Sequence, residues 1–209
     1  MFLKSEITTY PSESLFLWDI SESEEELKTL YCADGSSLPA IQDSARLKHF
    51  LASRMLVRRV FPGQVLDKDV FGKPYIRGFS GDISLSHSGD LAGLLVSTKG
   101  SCGLDLEVPG DRILRIAGRF CAPEELDFQE VATFRESLHI IWGAKECMYK
   151  AYGRKGIDFR TQLRVSPFVV SDKGTIHGTL TLADVVQHFR ISYYYYKSYI
   201  LLWTEAESG

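Results

Sequence analysis

Gly103-Leu104-Asp105-Leu106-Glu107 is the stretch on which the reading of this chain turns. In an extended backbone alternate side chains share a face, so Leu104, Leu106 and Val108 lie on one side and Asp105 and Glu107 on the other. No opposite charge adjoins the two carboxylates in sequence. Side by side they repel, and such a pair calls for a cation, a proton or a basic partner. Hard oxygen donors of this kind suit Mg²⁺ and, through it, phosphate chemistry. Taken alone, so short a motif favours the plainer reading of a strand with a solvated acidic face.

Downstream, Pro109-Gly110-Asp111 breaks the strand, 113–120 reads as a short helix, and Ala122-Pro123-Glu124-Glu125 opens another. A long helix is expected over 133–152, ended by Gly153. It carries WGAKECMYK at 142–150, in which Trp142, Glu146 and Lys150 are spaced at four and share a face. A surface Glu-to-Lys pair at that spacing is worth only about 0.3–0.5 kcal/mol. A tryptophan on the same stripe argues that the face is covered. Lys145 lies about 100° away around the helix. Strands are expected at 162–165, 175–182, 188–195 and 198–204. The last two form a hairpin about Lys197-Ser198, with Tyr193 to Tyr196 alternating between faces.

Upstream, 14–20 reads as a buried strand, and the run Ser21 to Glu26 supplies an N-cap and an acidic first turn for a helix ending near Tyr31. A second helix, from 38 or 41 to 61, is closed by Pro62-Gly63. On its wheel Leu47, Phe50 and Leu51 define an apolar face, and Arg54 and Arg58 fall in the same arc. Snorkelling explains such arginines, and so does a cationic wall for a phosphorylated ligand. Arg46, Lys48 and Arg59 add basic character. Extended segments follow at 65–67, 74–76, 82–86 and 91–97. Gly72-Lys73-Pro74 reads as a tight turn. Ser86-His87-Ser88-Gly89-Asp90 reads as a polar turn whose hydroxyls suit phosphate oxygens. No GxSxG elbow accompanies this histidine.

The 209 residues are 44% hydrophobic and 24% charged, with a net charge of -3. That balance describes a soluble globular chain and argues against general nucleic-acid binding. Cys32, Cys102, Cys121 and Cys147 show no CxxC pair and read as packed, reduced thiols of a cytoplasmic protein. With Lys4, Glu6 and no long apolar run near the start, no secretory signal is expected. No run approaches the roughly 20 apolar residues of a membrane span. Each half contains helix followed by strands, with a break near Lys99-Gly100. The expected fold class is therefore α+β, with two similar lobes over 1–100 and 101–209, each a helix packed on a mostly antiparallel sheet.

Four boxes in order carry a resemblance: GKP at 72–74, ISLSHS at 83–88, GLDLE at 103–107 and WGAKECMYK at 142–150. Together they resemble the 4'-phosphopantetheinyl transferase superfamily, whose pattern is GKP, SHS, GIDIE and WxxKEAxxK. The length and paired lobes look like its long, single-chain, surfactin-synthetase-activating type, a pseudo-dimer. Leu104 and Leu106 replace isoleucines and Cys147 replaces alanine, with no charged group lost.

The resemblance implies transfer of 4'-phosphopantetheine from coenzyme A to a serine of an apo acyl or peptidyl carrier protein. It implies that Asp105, Glu107 and Glu146 hold Mg²⁺ and that Glu146 and Lys150 are catalytic. Lys73, Ser86, His87 and Lys150 are then coenzyme A contacts. Arg54 and Arg46, chosen from the helix wheel, are candidates for the 3'-phosphate. Phe71 and Trp142 stay as packing residues. No nucleic acid and no membrane are expected as partners, and paired lobes in one chain are expected to act as a monomer. The other readings of the same carboxylates are a different Mg²⁺-dependent phosphoryl or nucleotide hydrolase, and a non-catalytic module binding coenzyme A or a carrier protein.

Overall fold

Alternation of large apolar residues with small or polar ones builds most of the strands in this chain. The computed structural model describes residues 5–10, 12–127 and 130–205. Lys4, used above against a leader, lies outside them.

The first sheet has the order β1-β2-β6-β5. Its strands are β1 (Ser5–Tyr10), β2 (Glu13–Asp19), β5 (Asp82–Ser88) and β6 (Leu91–Ser97), and every pairing is antiparallel. β1 was not expected from sequence. Two helices accompany this sheet. α1 (Glu24–Cys32) opens with a capping box between Ser23 and Glu26. α2 (Ser44–Val60) begins later than expected, because Asp43 caps it by accepting from the Arg46 N–H at 2.8 Å. Leu47, Leu51, Leu56 and Val57 of α2 pack with Trp18, Ile83 and Leu94 of the sheet. A two-stranded hairpin, β3 (Leu66–Lys68) and β4 (Pro74–Ile76), stands apart from both main sheets.

The second sheet has the order β7-β11-β10-β9-β8 and is antiparallel throughout. It comprises β7 (Leu104–Glu107), β8 (Leu163–Val165), β9 (Lys173–Leu182), β10 (Val185–Tyr196) and β11 (Tyr199–Thr204). Between β7 and β8 run α3 (Arg112–Phe120), α4 (Pro123–Leu126), one 3₁₀ turn and α5 (Phe134–Tyr152). Leu138, Ile141, Ala144 and Met148 of α5 pack with Ile176, Ile191 and Leu202 of the sheet.

A third cluster joins the two sheets. Leu15, Leu17, Leu91 and Leu95 of the first meet Leu104, Leu106, Leu201 and Trp203 of the second. The leucines of the opening stretch therefore face the first sheet, as alternation predicts. Val108 leaves that face and is exposed.

One expectation is corrected. Ser86, His87 and Ser88 belong to β5, and Ser88 pairs with Leu91, so the turn is only Gly89-Asp90. The polar side chains that suggested a turn are instead used across the junction between sheets. Ser84 Oγ accepts the Leu104 N–H at 2.9 Å, and Ser86 Oγ accepts the Leu106 N–H at 3.1 Å. These donors lie on the open edge of β7, so two hydroxyls replace the missing neighbour strand.

Candidate functional site

β7 meets α5 at close range. A Cβ added to Gly103 would lie 1.9 Å from the Cys147 carbonyl oxygen, so only glycine allows this approach. It brings Asp105 and Glu107 of β7 beside Glu146 and Lys150 of α5.

Asp105 is 5% exposed, which overturns the plain reading of a solvated acidic strand. Its Oδ1 accepts from Lys150 Nζ at 2.6 Å and from Ser86 Oγ at 3.2 Å. Its Oδ2 is buried and has no hydrogen-bond partner among the described residues. Burial raises the Asp105 pKa, Lys150 lowers it, and Glu107 and Glu146 raise it further, with the result pushed up to about 7. Burial also raises Glu146, against Lys150 and with help from Glu107.

Lys150 is the counter-charge of this cluster. Its Nζ donates to Asp105 Oδ1, to the Leu104 carbonyl at 2.8 Å and to Ser86 Oγ at 3.3 Å, and lies 4.0 Å from Glu146 Oε2. Burial pulls its pKa down, but Asp105 and Glu146 hold it above the ordinary lysine value. Glu107 Oε2 is engaged by the buried His139 Nδ1 at 3.2 Å.

Three mutually repelling carboxylates around one ammonium, with a buried oxygen lacking any donor, have the charge and donor chemistry that suit a hard divalent cation. Their side chains do not, however, converge on one point. Among the described residues no group of three His, Cys, Asp or Glu side chains is assembled to hold a metal ion.

The cationic side of the site lies across β5. Arg46, Phe50, Ser53 and Arg54 of α2 line a cavity of about 350 Å³ with Lys68, Gly72, Pro74, Leu85 and His87. Arg54 stacks on Phe50, with its guanidinium carbon 4.6 Å from the ring centroid. Burial lowers its pKa, and among the described residues it has no carboxylate or carbonyl partner. His87 stacks on His49 with centroids 4.3 Å apart. Surrounding protein atoms, then His49 and Lys150, push the His87 pKa down to about 4.

Lys73 donates to Asp82 Oδ2 at 2.5 Å and to the Ala151 carbonyl at 3.2 Å, so it ties the turn before β4 to the end of α5. Gly153 ends α5 with φ +73, and the Lys73 stem runs across its bare Cα. Lys73 lines a pocket of about 140 Å³ with Phe71, Gly72, Pro74, Tyr149 and Lys150. A third pocket, of about 480 Å³, holds Glu146 beside Trp142, Tyr149, Arg112 and Arg119. The first two of these pockets share Gly72, Pro74 and Leu85, and the second and third share Tyr149, so each adjoins the next.

Thus Asp105, Lys150 and Ser86 are in direct contact, with Glu146 4.0 Å from the same lysine, Glu107 is turned to His139, and Lys73, His87, Arg46 and Arg54 line the adjoining cavities. Arg58 does not join them. It donates to the Tyr31 carbonyl and Ser36 Oγ and pairs with Asp34, which ties α2 to the end of α1. Sequence reading missed Ser84, Lys68 and His139. Ser84 stands two residues before Ser86 on one strand face, and His139 stands seven before Glu146 on one helix face. Those spacings were the available signals.

Residues 101–203 match the family described as the 4'-phosphopantetheinyl transferase superfamily. A Synechocystis sp. protein curated as "Putative 4'-phosphopantetheinyl transferase" is 37% identical over 79 residues. That alignment takes in 35% of this chain and 32% of the relative. Two of the four boxes, GLDLE and WGAKECMYK, fall inside the matched stretch; of the other two, ISLSHS lies on β5, which bonds to β7, and GKP lies at the turn into β4. Residues 101–203 therefore form a domain of the 4'-phosphopantetheinyl transferase superfamily.

Proposed function

We propose that the chain transfers the 4'-phosphopantetheine group of coenzyme A to a serine hydroxyl of an acyl or peptidyl carrier protein. The observation that carries this reading is the line of adjoining pockets, lined in turn by Arg46, Arg54 and Lys68, by Lys73 and Lys150, and by Glu146. Coenzyme A is itself a chain of phosphates and adenosine joined to a pantetheine arm, and it would lie along that line between the two sheets and their helices, taken as two lobes over 1–100 and 101–209.

On this reading Arg46, Arg54 and Lys68 receive the 3'-phosphate, with His87 at the wall. Lys73 flanks the path to the diphosphate. Lys150 reaches the diphosphate by exchanging its longest bond, that to Ser86. Glu146, with its pKa raised by burial, takes the proton of the carrier serine on one of its carboxylate oxygens. The serine oxygen forms a bond to the phosphorus bearing pantetheine. The bond from that phosphorus to the bridging oxygen breaks, and adenosine 3',5'-bisphosphate leaves. Asp105, Glu107 and Glu146 would hold Mg²⁺, which when bound offsets charge on the diphosphate. The chain's own contribution is positioning and charge stabilisation, which dominate phosphoryl chemistry of this kind.

The test is to incubate the chain with coenzyme A, Mg²⁺ and an apo carrier protein and to weigh the carrier. The expected result is a gain of one phosphopantetheine group on its serine. Release of phosphate from coenzyme A or a nucleotide, with every carrier unchanged, would replace this reading by the hydrolase one.

A further inference from the structure

The environment of Glu107 contains a residue that none of the four boxes includes. His139 is 4% exposed and stands on α5 two turns before Glu146. Its two ring nitrogens have different partners. Nε2 lies 2.9 Å from the Gly110 backbone nitrogen, whose N–H points at it. That N–H can only donate, so Nε2 must present its lone pair. The Gly110 carbonyl, 3.1 Å from the same Nε2, accepts the Ile113 N–H and so has a donor without the ring. The proton of a neutral ring therefore sits on Nδ1, which faces Glu107 Oε2 at 3.2 Å.

We infer that His139 is the positioning residue of the metal site, its Nδ1–H holding one oxygen of the Glu107 carboxylate and leaving the other for a divalent cation. This rests on the assignment of Asp105, Glu107 and Glu146 as metal ligands. Through Gly110 the same ring also anchors the loop between β7 and α3. Each function uses a different nitrogen, so two substitutions separate them.

In His139→Asn the side-chain amide falls near the position of Nδ1 and keeps the donor to Glu107 while losing Gly110. In His139→Gln the amide reaches the position of Nε2 and keeps a partner for Gly110 while losing Glu107. Mn²⁺ titration followed by electron paramagnetic resonance, without coenzyme A, reads the site directly, and circular dichroism verifies the fold. The expected result is that His139→Gln weakens Mn²⁺ about tenfold to a hundredfold, the usual effect of losing a partner of a ligand. His139→Asn should stay near wild type.

The reverse order, or equal affinities in the two variants, overturns the inference. If His139→Gln does not fold, a tenfold loss in His139→Asn alone overturns it. A wild-type chain that binds Mn²⁺ in this His139-dependent way yet modifies no carrier would sink the transferase reading and leave this one standing.

Discussion

Asp105 is subject to opposing influences. Burial raises its pKa, Lys150 lowers it, and Glu107 with Glu146 raises it again, to about 7 from an ordinary 3.8. Between those values the folded chain holds a proton that the unfolded chain has released. Its contribution to stability is therefore full below the unfolded value and is lost as pH rises through about 7. His87 has the opposite sign. Held at about 4 against an ordinary 6.5, it contributes fully above the unfolded value, and that contribution is lost as pH falls through about 4. Asp105→Asn isolates the first effect. In metal-free buffer the melting temperature of wild type minus that of the variant should fall between about pH 5 and about pH 8. A flat or rising difference would mean that Lys150 outweighs burial and that Asp105 is ionised throughout.

At the scale of the element, α5 is held by a lysine that the catalytic reading does not use. Lys145 Nζ is fully buried and bonds Glu125 Oε2 at 2.6 Å, with the Phe120, Phe159 and Leu163 carbonyls at 2.7, 2.9 and 2.9 Å. It joins α5 to the end of α3, to α4 and to the segment entering β8. Lys145→Met leaves the Glu125 carboxylate buried without its cation and should cost about 3–5 kcal/mol in urea unfolding. Adding Glu125→Leu should recover part of that loss, since an apolar pair avoids the stranded charge. An unchanged unfolding midpoint in Lys145→Met would show that these bonds do not hold the helix.

The same helix shows what the sequence discloses. Its span and its Trp142-Glu146-Lys150 face were legible, because helical periodicity and a terminal glycine are local. The partners of Lys145 were not, since Glu125 and two of the carbonyls arrive through intervening turns. β5 failed differently. Its hydroxyl-rich face looked like a turn because nothing local announces that the edge of β7 will need those hydroxyls. β1 was missed where its pairing with β2 is the decisive feature.

At the scale of the whole molecule, the family match covers residues 101–203, while the cationic cavity is built from the first half of the chain. On the transferase reading the carboxylate cluster alone does not select a phosphate compound. That selection would fall to α2, the β3–β4 hairpin and β5, whose side chains line the cationic cavity. Among the described residues the side chains of Arg46, Arg54 and Lys68 have no anionic partner, although Arg54 is half-buried. A cation held in that state is poorly solvated and unpaired, and an incoming phosphate relieves both costs. Coenzyme A and dephospho-coenzyme A differ only by the 3'-phosphate. If this cavity receives that group, Arg54→Ala should weaken coenzyme A about tenfold to a hundredfold, the worth of one charge-assisted bond. The affinity for dephospho-coenzyme A should stay within about twofold, because the group that Arg54 contacts is missing from it. Isothermal titration of both ligands against both proteins gives the comparison. Equal losses would mean that Arg54 shapes the cavity through its stacking on Phe50 instead of reading the phosphate. No loss with either ligand would place coenzyme A off this line of pockets, and the first half of the chain would then need another purpose for its unpaired cations.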